Sequence, residues 1–170
     1  MTPKTLLLTL SLLALTHTAI AQTPNGRPAA MNILQGTWEL VYADVLHPDG
    51  TRTHDYGNAP KGQLQIDSSG RYGLFIFSGE RAKFAGNDRK RGTPAEFKAA
   101  IMSTSSHYGT VDVDQAKHTL TFHIKESTYP NWEGTTQVRK YVLKGDTLSY
   151  DVPPRSNGDI PMTGWKRVRP

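Results

Sequence analysis

Gly36-Thr37-Trp38 opens an alternating run near the start of the chain, and Trp165-Lys166-Arg167 stands in another run at its far end. In a closed up-and-down barrel the first and last strands are neighbours, so Trp38 on one and Arg167 on the other can stack and seal one end. The spacing of the runs between them supports that reading. Short stretches of period-two alternation, separated by turn clusters, are expected as strands near residues 36–43, 62–66, 71–78, 107–113, 119–126, 136–143, 147–152 and 162–168. About eight antiparallel strands suffice to close a barrel just wide enough to fill itself or hold one small ligand. Pro48-Asp49-Gly50, Ser68-Ser69-Gly70 and Gly145-Asp146 supply the reversals between runs.

One segment departs from the strand pattern. Thr93-Pro94-Ala95-Glu96 offers an N-cap, a proline in the first turn and a capping acid three residues on. Phe97, Ala100 and Ile101 follow at helical spacing, which predicts one short helix near 94–104 that ends among Ser103 to Ser106 and could plug or cover one barrel mouth. The fold class is therefore all-β: a single up-and-down antiparallel barrel with one short helix.

Residues 1–21 read as an export signal, with Lys4 before the apolar stretch Leu6 to Leu15 and the small-x-small pair of Ala19 and Ala21 before Gln22. That implies a periplasmic or secreted protein, a flexible Pro- and Gly-containing leader over 22–31, and one domain over 32–170. The apolar stretch is too short for a bilayer span. The chain has no cysteine, which excludes disulfides, thiol catalysis and Cys-based metal sites. The net charge of +5 sits mainly in Arg81, Lys83, Arg89 to Arg91 and the 166–169 tail. Such surplus keeps a surface solvated, and no nucleic-acid-binding module accompanies it.

Alternation assigns faces. Leu120, Phe122, Ile124 and Glu126 share one side of their strand and are expected inside, with His123 and Lys125 opposite. Leu148, Tyr150 and Val152 follow the same logic. On the intervening strand, Gln137, Arg139, Tyr141 and Leu143 oppose Val138, Lys140 and Val142, so either face can be the inner one. If the first set points inward, the cavity gains polar anchors.

With those strands placed, the motifs around them resemble the lipocalin-like domain family of bacterial and fungal proteins. The matching pieces include Gly36-Thr37-Trp38, Ser69-Gly70-Arg71-Tyr72, Gly92 to Glu96, Tyr108-Gly109-Thr110, His123 to Trp132, Gln137-Val138-Arg139 and Trp165-Lys166-Arg167. The resemblance spans residues 33–169 and implies a calycin-type barrel with a central cavity; it implies no catalytic residues. Members often carry an acid where Lys125 stands here, and Glu126 lies one position later, on the opposite strand face.

The candidate ligand-binding residues are Arg139, Gln137, Tyr141, Tyr150, His123, Ser127, Asn131 and Trp132. A buried arginine must be paired, and an anionic head group can do so in two-pronged fashion; a Glu126-paired or outward Arg139 is the alternative. His123 is either a proton carrier or ligand, or a hydrogen-bonded surface residue. His47 and His54 beside Asp49 and Asp55 lie in a turn-rich loop without the rigidity of a metal motif, and no metal or cofactor is expected. Neither a G-x-S-x-G elbow nor an S-x-x-K motif is present, and Ser103, Ser105 and Ser106 read as helix-ending serines.

These features point to a non-enzymatic carrier or sequestering module for a small apolar or amphipathic molecule. Two alternatives stand beside it. One is an isomerase- or cyclase-type enzyme moving protons with His123, Tyr150 or Glu126, and the other a packed barrel without a pocket. Oligomeric state is not readable from the chain.

Overall fold

The computed structural model describes residues 33–169. The expected signal and leader, residues 1–31, lie outside the described residues. Within them the chain forms β1 (Gly36–Leu46), β2 (Arg52–Thr53), β3 (Lys61–Ile66), β4 (Arg71–Phe77), α1 (Pro94–Met102), β5 (Thr104–Asp114), β6 (Thr119–Ser127), β7 (Thr136–Lys144), β8 (Thr147–Asp151) and β9 (Ile160–Arg167). Each strand from β3 onward pairs antiparallel with the next, β1 pairs β3 on one edge, and β9 returns to pair β1 on the other. The sheet is thus a closed eight-stranded barrel, with the two-residue β2 appended to the far half of β1.

Closure occurs where the two ends of the sequence promised it. Trp38 stands opposite Arg167 in the β1–β9 register, and the guanidinium lies 4.0 Å from the indole centroid. Arg167 also donates to the backbone carbonyls of Ile33 and Gln35, while Trp38 Nε1 donates to the Leu34 carbonyl at 3.0 Å. The segment before β1 is thereby drawn across this end of the barrel, and Leu34 is fully buried there.

Inner faces follow the alternation. Leu64 and Ile66, Tyr72 and Leu74, Leu120 and Phe122, and Leu148 and Tyr150 all join one core with Trp38 and Trp165. The ambiguity on β7 resolves in favour of the polar set: Arg139 and Tyr141 are buried, whereas Val138 and Val142 are about half exposed.

Three expectations need correction. First, Glu126 is exposed, not inside with Ile124. A bulge inserts Lys125, because Gly109 pairs Ile124 while the adjacent Tyr108 pairs Glu126, so the alternation flips there. Glycine permits it, since a Cβ at position 109 would lie 2.0 Å from the His123 carbonyl oxygen. Second, the helix stops at Met102, and Ser105 and Ser106 belong to β5; only Ser103 caps it. The capping box of Thr93 and Glu96 forms as read. Third, α1 covers no mouth. Its Phe97, Ile101 and Met102 stay substantially exposed, Phe97 packs edge-on against Phe84, and no α1 residue joins the cavity wall.

Candidate functional site

At the end opposite the Trp38–Arg167 seal, the barrel is hollow. A cavity of about 350 Å³ opens there, walled by the far half of β1, the end of β4, the start of β5, the start of β7, the end of β8 and the start of β9. Ala43, Val45, Leu74, Ile76, Val152 and Met162 make most of the wall apolar. This volume is at the small end of the ~300–1,000 Å³ usual for ligand sites.

The deeper part of the cavity is polar and built on rigid strands. Arg139 is 3% exposed, and its Nη2 donates to Gln137 Oε1 at 2.8 Å. Its guanidinium carbon lies 4.4 Å from the Phe122 ring centroid and 5.4 Å from that of Tyr150. Among the described residues it takes part in no ion pair, and its Nε has no hydrogen-bond partner. Burial lowers its pKa, as expected of a cation removed from water without a counter-charge. The Tyr150 hydroxyl is likewise buried without a partner, and burial raises its pKa.

Beside Arg139 lie two groups that the sequence reading passed over. His107, 4% exposed, lines the cavity from β5, and its Nδ1 is 2.7 Å from the Tyr72 hydroxyl on β4. Burial, reinforced by the neighbouring positive charge of Arg139, holds the His107 pKa down at about 3, and burial keeps the Tyr72 phenol protonated. His107 is therefore neutral at ordinary pH, with Nδ1 engaged by the Tyr72 hydroxyl. Strand alternation carried this signal: His107 shares the face of Val111 and Val113, and Tyr72 that of Leu74 and Ile76.

Of the eight residues singled out from sequence, Arg139, Gln137, Tyr150 and Trp132 line the cavity. Trp132 reaches it from the Pro130–Trp132 turn, its ring 6.0 Å from that of His107. Tyr141 is buried nearer the sealed end, edge-on to His118, and does not touch the cavity. His123 projects outward, bridging Asp112 Oδ2 at 2.9 Å and Thr136 Oγ1 at 3.1 Å. Ser127 hydrogen-bonds the Ser106 carbonyl and the Tyr129 amide, and exposed Asn131 donates to the Tyr129 hydroxyl. These two shape the β6–β7 loop and do not reach the interior.

The mouth is framed by paired polar and charged side chains. Asp44 accepts from Arg52 Nε at 2.7 Å and meets His54 Nδ1 at 2.8 Å; Asp159 meets His47 Nδ1 at 2.7 Å. Arg155 lies 3.6 Å from Asp55 and 3.9 Å from Asp159. Of the loop residues considered as metal donors, His47, His54 and Asp55 thus tie the rim together, and Asp49 accepts from Thr51 within its own turn.

An eight-stranded barrel sealed at one end by a Trp–Arg stack and hollow at the other is the calycin arrangement, and the family model described as a lipocalin-like domain matches residues 35–168. The chain belongs to that family. No curated protein matches it. In this lipocalin-like barrel, then, the closed sheet encloses a hollow whose polar floor is made by Arg139, Gln137, Tyr150 and His107, with Tyr72 behind His107.

Proposed function

We propose that this lipocalin-like protein carries or sequesters a small apolar or amphipathic molecule in its barrel cavity and is not an enzyme. The observation that carries the reading is the unfilled, mostly apolar hollow of about 350 Å³ at one end of an otherwise packed core. Export, read from residues 1–21, would put such a molecule where apolar compounds need a soluble host.

The polar groups of the cavity favour a carrier over proton-transfer chemistry. A general acid or base works best with a pKa near the operating pH. His107 is held at about 3, and the Tyr72 and Tyr150 phenols are pushed up by burial, so at neutral pH none of them readily takes or gives a proton. Of the proton carriers considered from sequence, His123 and Glu126 face away from the cavity.

Purification from the native source followed by native mass spectrometry tests the reading. One small molecule bound near stoichiometry supports it. Protein that emerges bare, and that then takes up no apolar fluorescent probe, overturns it.

A further inference from the structure

We propose that the ligand is a monocarboxylate, bound as its anion with the carboxylate on Arg139 at the cavity floor and the apolar body toward the mouth. This rests on the carrier reading above and names the chemistry of its ligand.

An arginine keeps its proton in a protein, so the floor holds a full positive charge removed from water. Removing such a charge from water costs several kcal/mol unless an anion and good hydrogen bonds compensate. Gln137 supplies one neutral acceptor, and the Phe122 and Tyr150 faces supply only quadrupoles. No protein carboxylate does the work: Asp44 is held by Arg52 and His54, Asp55 lies against Arg155, and Glu126 is outside.

Arg139 and Tyr150 both line the cavity. The guanidinium Nε and the Tyr150 hydroxyl are both buried without a protein partner, and the guanidinium lies against the Tyr150 ring. A carboxylate is the anion that a guanidinium recognises through two oxygens. His107 is neutral, so the floor carries one positive charge and not two. A dianionic phosphate would leave a buried negative charge unbalanced, whereas a single carboxylate closes the account. The volume, equivalent to about a dozen water molecules at ~30 Å³ each, suits a compact acid and not a long-chain one.

The test compares three probes that share one alkyl chain: decanoate, decanol and decyl phosphate, titrated calorimetrically at neutral pH into the wild-type protein, Arg139→Met and Arg139→Lys. Decanoate is expected to bind about 10- to 100-fold more tightly than decanol to the wild type, as a charge-assisted pair replaces a neutral contact. The preference should fall to within about threefold in Arg139→Met and survive in part in Arg139→Lys, which keeps the charge and loses the fork. Circular dichroism establishes that each variant is folded, and the lysine variant carries the test if the methionine one is not. Equal binding of decanoate and decanol, a preference that persists in Arg139→Met, or tighter binding of decyl phosphate overturns the carboxylate assignment and leaves the carrier reading intact. No binding of any probe overturns the carrier reading itself.

Discussion

Replacing His107 by glutamine should remove most of the acid sensitivity that one residue confers on this barrel. The imidazole ordinarily titrates near 6.5 but is held at about 3 in the fold, because burial and the adjacent Arg139 both oppose a second positive charge. Its folded pKa is depressed, so the stability it confers is fully present above the unfolded value of 6.5 and is lost as pH falls toward about 3. A shift of that size corresponds to about 4–5 kcal/mol over the whole window at ~1.4 kcal/mol per unit. Between pH 7 and pH 4.5 the share lost is about 2.5 kcal/mol, from the same linkage relation. Urea unfolding at those two pH values measures it directly. Glutamine keeps a polar partner for the Tyr72 hydroxyl and cannot titrate, so the variant should lose about 2.5 kcal/mol less than the wild type on acidification. Equal losses in the two proteins would refute the placement of His107 as a buried neutral imidazole beside a cation.

Arg139→Met should stabilise the unliganded protein by about 1–3 kcal/mol in urea unfolding, because an unpaired buried charge is replaced by an apolar side chain of similar length; destabilisation would mean that the guanidinium is better compensated than its contacts show. Gly109→Ala should cost about 2–4 kcal/mol, since its Cβ would meet the His123 carbonyl oxygen at 2.0 Å and the bulge must deform; an unchanged urea midpoint would contradict the bulge. Arg167→Ala should cost about 2 kcal/mol and speed amide exchange at Trp38 and along the β1–β9 pairing, where the stack and the carbonyl contacts to residues 33 and 35 are lost. Exchange confined to the mutated end supports the seal, and no change there contradicts it.

Most of the architecture was legible because it rests on two simple periodicities and on the residues that stop them. Alternation located the eight barrel strands, the Thr93–Glu96 box located the helix start, and the Trp38–Arg167 pair at opposite ends of the chain specified closure. What the sequence hid were the places where a count of two breaks. The Lys125 bulge sent Glu126 outward, and a second irregularity between Leu40 and Tyr42 leaves Val41 largely exposed. Neither can be seen without knowing the partner strand. Gly109, whose missing side chain makes room for the first bulge, is the one local hint.

The cavity floor was legible only in part, for a different reason. Arg139, Gln137 and Tyr150 drew notice as polar residues within alternating runs. His107 and Tyr72 obeyed the same rule but were masked, His107 by the neighbouring serines that read as a helix end and Tyr72 by its likeness to an ordinary core aromatic. Their pairing across β4 and β5 is a tertiary fact, as is the diversion of His123 to Asp112 and Thr136 on the outer surface. Chemistry-bearing side chains on a sheet cannot be assigned to a site until the inner face is known at each position.

A methyl-resolved NMR titration with decanoate tests most directly whether the hollow end of the barrel receives a guest. Saturable shifts are expected at Ala43, Val45, Ile76, Val152 and Thr163, which line the cavity, with Val138 and Val142 on the outer face of β7 unmoved. Shifts centred on the outer valines, or none at the cavity methyls at saturating probe, would contradict it.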